Sequence, residues 1–172
     1  MLFRSAAAVV VTAGTTAAPA SYSAVLATGT GASGLHAAGS PGGLVPASSR
    51  WYKYTPAASG VITISSCGSA TGTDTRLWVM TGTCAALTDV ANSDDNCGAT
   101  FFSNLTMNVT AGTPYYIEWD DTWQKTAFTW TLAFSAMPAY DAQLKSVSQQ
   151  YTAIPVTQLS PMVLSEIGRA HV

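Results

Sequence analysis

Apolar and polar residues alternate along much of the central part of the chain, which is the pattern of a β-strand with one buried and one exposed face. The stretch SNLTMNVT places Leu105, Met107 and Val109 on one side and polar residues on the other. FTWTLAF repeats this alternation over residues 128–134. Three further segments, VITIS, RLWVM and PYYIEW, are rich in β-branched and aromatic residues and are also predicted to be strands. No helical period is sustained, so the pattern predicts an all-β protein.

Turn-forming residues separate these predicted strands at short intervals. They are concentrated in the stretches PAASG, GSATGTD, TGTC and AGTP. Short strands that have one polar face and are joined by tight turns indicate antiparallel sheets. We therefore predict an antiparallel β-sandwich over residues 44–136.

The segments on either side of this domain differ in composition. Residues 6–43 contain TGTGASGLHAAGSPGG and are predicted to be a flexible or partial N-terminal segment. Residues 137–165 contain prolines and scattered apolar residues, and we interpret them as the truncated start of a following β-domain. The ends, MLFRS at 1–5 and EIGRAHV at 166–172, match translations of a common sequencing adapter, so we interpret both as adapter scars. The alternative at the N-terminus, a secretory signal peptide, has a short apolar run and one charged residue, Arg4.

Composition narrows the class of protein. Hydrophobic residues make up 48% of the chain and charged residues 9%, a balance that is typical of a compact extracellular β-domain and wrong for a disordered chain. The formal net charge is −2, whereas nucleic acids and anionic membrane surfaces are bound by basic patches. No apolar run reaches the roughly 18 residues of a membrane span. We therefore expect no nucleic-acid partner and no membrane span.

The stretch NSDDNCG places two aspartates side by side next to a cysteine, although adjacent like charges repel unless they are compensated. If successive strands form an up-and-down meander, the loops near residues 67–74, 92–98 and 120–123 lie at the same end of the sandwich. Carboxylate oxygens at loop tips suit Ca²⁺. The alternative is solvated turn residues, because an Asp side chain accepts hydrogen bonds from nearby backbone N–H groups. We predict a structural calcium site from the five aspartates of these loops, Asp74, Asp94, Asp95, Asp120 and Asp121.

The same alternation of strand direction sorts the three cysteines. It places Cys67 and Cys97 at one end of the sandwich and Cys84 at the other. We predict a Cys67–Cys97 disulfide, which implies an oxidising, extracellular environment. Cys84 then either pairs with a cysteine outside this sequence or is a small buried hydrophobe.

Four stretches carry a family resemblance. RWYKYTPAASGVITISSCGS, DTRLWVMTGTC, SDDNCG and VTAGTPYYIEWDD occur in this order, and together they resemble the bacterial pre-peptidase C-terminal type domain over residues 44–134. The resemblance implies a non-catalytic, jelly-roll-like β-sandwich that serves secreted multidomain bacterial proteins as an accessory module and is calcium-dependent in some members. The later stretch YDAQLKSV resembles the start of an immunoglobulin-like domain. No binding specificity follows from the resemblance.

The sequence lacks the catalytic patterns that we sought. Outside the C-terminal scar its one histidine is His36, in the Gly- and Ala-rich stretch, and neither GxSxG nor HExxH occurs. We therefore expect a non-catalytic module, not an enzyme, of a secreted or cell-surface bacterial protein. Its expected role is that of a spacer or adhesion domain, and its expected partners are the other domains of that larger protein.

Aromatic residues support a second hypothesis, because they can stack on sugar rings or anchor an extracellular protein. Most of them alternate within predicted strands, so about half should be core. Trp123 follows Trp119 in the loop stretch WDDTW and is predicted to be an exposed ligand-binding residue. The alternative function is thus a carbohydrate-binding module that targets a hydrolase or peptidase to a polysaccharide or other substrate. Arg76 and Lys53 are expected to face solvent, where pairing with a carboxylate contributes at most about 1 kcal/mol.

Overall fold

The computed structural model describes residues 8–26, 48–69, 74–98, 100–123 and 126–137. These residues form nine β-strands and no α-helix. The strands are β1 (Val9–Val10), β2 (Ala20–Ala24), β3 (Ser49–Tyr54), β4 (Gly60–Ser65), β5 (Arg76–Thr83), β6 (Ala86–Asp94), β7 (Asn104–Val109), β8 (Tyr115–Asp120) and β9 (Phe128–Ala136). The predicted adapter scars, and all but residue 137 of the predicted following domain, lie outside the described residues.

The nine strands form two sheets that pack against each other. One sheet has the order β1-β3-β8-β5-β6 and the other the order β2-β9-β4-β7. Strand pairs are antiparallel except for the parallel contact of the short β1 with β3. Strands β2 to β9 have the order of a jelly roll, with four strands in each sheet. The predicted all-β, antiparallel β-sandwich is therefore confirmed.

The strand order does not follow the meander from which the loop positions were predicted, so that assumption was wrong. Among the described strands, β5 and β6 are the one pair adjacent in both sequence and sheet, and the other connections change sheet or strand order. Loops that were expected at one end nevertheless meet there. Ser66 N–H donates to the Ser103 carbonyl at 3.0 Å, and Thr75 N–H donates to the Phe101 carbonyl at 2.9 Å. Apart from β1 and β3, neighbouring strands of each sheet still run in opposite directions, and the prediction that these loops share one end depended on that alternation.

The sandwich includes two strands from the segment that was predicted to be flexible or partial chain. β1 pairs with β3, with Val9 opposite Tyr52, and β2 pairs along its whole length with β9. The two strands were not predicted because β1 has two residues and β2 reads ASYSA, which has little β-branched character. The sandwich therefore begins before residue 44.

The space between the sheets is filled by large apolar side chains. Trp119 lies 5.8 Å from Trp130 and 5.1 Å from Phe128, measured between ring centroids. β4 and β9 contribute the inward halves of their alternating patterns, including Ile62 and Leu132, which are fully buried. Burying one such side chain stabilises the fold by about 1.5 to 3 kcal/mol. The apolar residues of the predicted alternating strands thus form the core.

The outer face of the five-stranded sheet carries a second cluster of buried residues, namely Trp51, Trp78, Met80, Leu87 and Tyr116. Because side chains alternate along a strand, Arg76 lies on the same face of β5 as Trp78, and Asp120 lies on the same face of β8 as Tyr116. Arg76 and Asp120 are both buried. This face therefore brings charged groups to the end of the sandwich where the aspartate-bearing loops meet.

Candidate metal centre

Buried hydroxyl groups hold the loops at this end of the sandwich. The hydroxyl oxygens of Ser66 and Thr75 lie 2.8 Å apart. Ser103 N–H lies within hydrogen-bonding distance of both, at 3.0 and 2.9 Å, and the Ser103 hydroxyl donates to the carbonyls of Thr75 and Ser93 at 2.5 and 3.1 Å. The loop from β4 to β5 and the loop from β6 to β7 are therefore joined below the surface by side chains as well as backbone.

A disulfide joins the same two loops. Cys67 follows β4 and is bonded to Cys97, which follows β6, with 5.8 Å between their Cα atoms. The predicted pair is therefore confirmed. Cys84 is a free, half-buried thiol in the turn between β5 and β6, and its Sγ lies 3.9 Å from the Tyr116 hydroxyl.

Three of the predicted aspartates come together beside this disulfide. Asp74 precedes β5, Asp94 is the last residue of β6, and Asp95 follows it. One carboxylate oxygen from each lies within 4.8 Å of the others. Asp95 has a φ of 59°, in the left-handed region that Asp tolerates better than most residues. This backbone turn lets the consecutive residues Asp94 and Asp95 both approach Asp74. We call these three residues the three-carboxylate cluster.

The negative charge of the cluster is only partly compensated within the described residues. Burial, followed by the charges of Asp95 and Asp94, raises the pKa of Asp74 to about 6 from its ordinary 3.8. Burial is also the main cause that raises the pKa of Asp94, and Asp95 and Asp120 raise it further, whereas Trp123 and Arg76 act in the opposite direction. Oδ1 of Asp74 and Oδ1 of Asp94 are buried and accept no hydrogen bond from the residues that the structure describes. Orphaned oxygens and mutual repulsion are what a bound cation relieves, so the residues fit a metal ion.

The other two predicted ligands have donors of their own. Asp120 Oδ2 accepts hydrogen bonds from Arg76 Nε and Trp78 Nε1, both at 2.8 Å, and its Oδ1 accepts one from Thr122 N–H at 3.0 Å. Asp121 Oδ1 accepts a hydrogen bond from the backbone N–H before β3, that of Ser48, at 2.8 Å. Neither belongs to the three-carboxylate cluster among the described residues. The structure gives these two aspartates hydrogen-bonding roles within the fold.

Arg76 was expected to face solvent, and that expectation was wrong. It is 1% exposed, pairs with Asp120, and lies with its guanidinium 5.4 Å from the centroid of the Trp78 ring. In the sheet register it stands opposite Asp94 on one side and Asp120 on the other. The sequence contained a signal of this burial. Trp78 and Met80 share the face of Arg76 in RLWVM, and large apolar neighbours indicate a buried face.

Two exposed aromatic residues belong to the loops at this end of the sandwich. Trp123 is 41% exposed, as predicted for a loop residue, and its Nε1 donates to Asp94 Oδ2 at 3.4 Å. Phe101 is 63% exposed, and its carbonyl accepts the backbone hydrogen bond of Thr75, the residue after Asp74. Sequence reasoning had not singled out Phe101. The end of the sandwich thus combines carboxylates with accessible aromatic surface.

The fold and site define a disulfide-bonded β-sandwich with an acidic, aromatic-flanked end. No known family, curated protein or solved structure matches the chain. The resemblance to the pre-peptidase C-terminal type domain therefore stays a prediction. Within the described ranges, no helix has the length and apolar character needed to cross a membrane.

Proposed function

We propose that this chain is a non-catalytic accessory module of a secreted or cell-surface bacterial protein, that calcium stabilises its β-sandwich, and that it serves as a spacer or adhesion domain. The observation that carries the proposal is the three-carboxylate cluster of Asp74, Asp94 and Asp95. Two of its oxygens are buried and have no hydrogen-bond donor in the described part of the chain. A divalent cation there would offset both the burial and the repulsion from Asp95 and Asp94 that raise the pKa of Asp74.

Calcium fits this set of ligands better than the other common metals. All three side chains offer oxygen, which is the ligand of hard cations, whereas zinc sites are usually built from histidine and cysteine thiolate. The two nearby cysteines, Cys67 and Cys97, are joined to each other. Calcium also accepts variable geometry and takes backbone carbonyls and water as further ligands, which suits a site built on loops.

A cation at this position would act as a crosslink. Asp74 comes from the loop that enters β5, and Asp94 and Asp95 come from the end of β6, so a shared ion would hold together two segments that the disulfide also joins. Disulfides persist in oxidising compartments, and calcium sites of modest affinity are filled outside cells. The combination supports an extracellular module whose end is rigid enough to connect to neighbouring domains.

Terbium luminescence tests the proposal directly, because Tb³⁺ replaces calcium and is excited by a nearby indole. We expect terbium emission from the full chain, displaced by calcium and reduced in Trp123→Phe, since Trp123 contacts a ligand carboxylate. Asp95→Asn should lose it. Asp89→Asn, which removes an exposed carboxylate elsewhere on β6, is the control and should keep it. Equal emission from Asp95→Asn and the parent chain would contradict the site.

The second candidate function, a carbohydrate-binding module that targets a hydrolase or peptidase, is favoured by Trp123. Its ring is accessible, and its indole N–H donates to Asp94 Oδ2. An accessible aromatic face can stack on a sugar ring. A glycan array with the full chain in calcium tests this function. Loss of binding in Trp123→Ala but not in Phe101→Ala would favour it, and an array without any bound glycan would count against it.

A further inference from the structure

The edge strands of the two sheets differ in how they are protected against pairing with another chain. Proteins shield such edges by short length, charge, proline or bulges, because an open edge exposes unpaired backbone groups. β1 has two residues. β6 carries Asp89 and Asp94 and has an irregular register with β5. β7 (Asn104–Val109) has no charge, no proline and a regular register with β4 over six residues.

The four-stranded sheet to which β7 belongs contains no Asp, Glu, Lys or Arg in any strand. Its other edge, β2, lies beside its own chain, because the Tyr22 hydroxyl is hydrogen-bonded to both backbone groups of Thr12, at 2.9 and 2.5 Å. Along β7, Thr106 is exposed, and Leu105 and Met107 are only partly buried. Among the described strands, β7 is therefore the longer edge strand without charge, proline or irregular register, and apart from its pairing with β4 only the backbone groups of Asn104, at its start, are bonded to another strand, through Ser93 of β6.

Hydrogen bonds at the start of β7 show which backbone groups face outward. Asn104 N–H donates to Ser93 Oγ at 3.1 Å, and Ser93 Oγ donates to the Asn104 carbonyl at 2.9 Å. Both backbone groups of Asn104 thus point away from β4. Residues of an antiparallel pair alternate between those that bond to the neighbour and those that face away. Thr106 and Asn108 therefore direct their N–H and C=O groups to the side of β7 where no described strand pairs.

We propose that this edge is a self-association surface, on which β7 of a second copy pairs antiparallel about a two-fold axis and joins two four-stranded sheets into one. A second copy fits because the strand is uncharged and so does not repel itself. Because Asn104 is already bonded to Ser93, the pairing sets Thr106 of one copy opposite Asn108 of the other. The half-buried Met107 then lies opposite Met107 of the other copy, and Leu105 opposite Val109. An interface of one short strand is small, so the dimer should be weak and dependent on concentration.

Analytical ultracentrifugation of the full chain over a concentration series tests this proposal. We expect the average mass to rise from that of the 17.8 kDa chain towards twice that value. Asn108→Lys sets two like charges close together across the two-fold axis and should abolish the dimer. Thr106→Pro removes an outward N–H without removing a hydrogen bond to β4, and it should abolish the dimer as well. Thr129→Lys places the same charge on the exposed face of the inner strand β9 and should keep it.

A chain that stays monomeric at every concentration overturns the proposal, as does a dimer that survives both β7 variants. A dimer that Thr129→Lys also dissociates would place the contact on the face of the sheet, which overturns an edge contact. Large polydisperse species would overturn the two-fold arrangement. Circular dichroism and unfolding midpoints of the variants show that a lost dimer is not a lost fold.

Discussion

Removing the disulfide should destabilise the sandwich by about 3 to 4 kcal/mol. The perturbation is the double substitution Cys67→Ser with Cys97→Ser, which opens a loop whose ends are 30 residues apart in sequence. In the chain-entropy account, a crosslink lowers the entropy of the unfolded chain by about 2.1 + 1.5R ln n cal/mol/K for a loop of n residues. For this loop the relation gives about 3.6 kcal/mol at 25 °C.

The folded state should survive the substitution, because hydrogen bonds hold the same two loops. Ser66, Thr75 and Ser103 link them through buried hydroxyl and backbone groups. The loss is therefore expected to come mainly from the unfolded state. For a domain of this size it corresponds to a decrease of about 10 to 20 °C in the unfolding midpoint.

Urea unfolding followed by tryptophan fluorescence measures this loss, with Cys84→Ser as the control. Cys84 forms no disulfide and has a weak contact with Tyr116, so its substitution should cost less than about 1 kcal/mol. The reasoning is refuted if the double variant loses less than about 1 kcal/mol. It is also refuted if Cys84→Ser loses as much as the double variant.

Two further predictions separate structural from ligand carboxylates. Asp120→Ala should cost about 3 to 5 kcal/mol by denaturant unfolding, because buried Arg76 loses its ion-pair partner. The exposed Asp95→Asn, which keeps a side chain that tolerates the left-handed backbone at this position, should change stability by less than about 1 kcal/mol in chelator. Equal losses in the two variants would contradict the assignment. The raised pKa of Asp74, about 6 against an ordinary 3.8, means that the folded state holds this proton more tightly than the unfolded state. Its stabilising contribution is thus complete below pH 3.8 and is lost as pH rises through about 6. In chelator the parent chain should lose stability relative to Asp74→Asn between about pH 4 and 7, and an unchanged difference across this range would count against the raised pKa.

Local patterns in the sequence were sufficient for the strands that alternate strongly. The inward residues of β9, including Trp130 and Leu132, were predicted from period two alone, because each strand buries one face. β2 was not predicted, since ASYSA has little β-branched character, although Ala24 is buried in the core and Tyr22 packs against it. Strand order also depends on distant partners, which is why the meander was wrong although the loop ends were placed correctly.

The candidate site could be predicted only in part for a related reason. The assumed alternation of strand direction placed Asp74, Asp94 and Asp95 at one end of the sandwich, and the structure brings these three together. The engagement of Asp120 depends on Arg76, which stands opposite it on the neighbouring strand β5. Such a pair, 44 residues apart, follows from sheet register, and register is not visible in a single sequence.

The melting temperature of the full chain in calcium and in excess chelator tests the central claim most directly. Calcium at about a hundred times its dissociation constant should add about 2.7 kcal/mol to the free energy of unfolding, a shift of several degrees. The shift should disappear in Asp95→Asn and persist in Asp89→Asn. A parent chain that melts at the same temperature in calcium and in chelator would contradict a calcium-stabilised sandwich and leave Asp74, Asp94 and Asp95 as solvated turn residues.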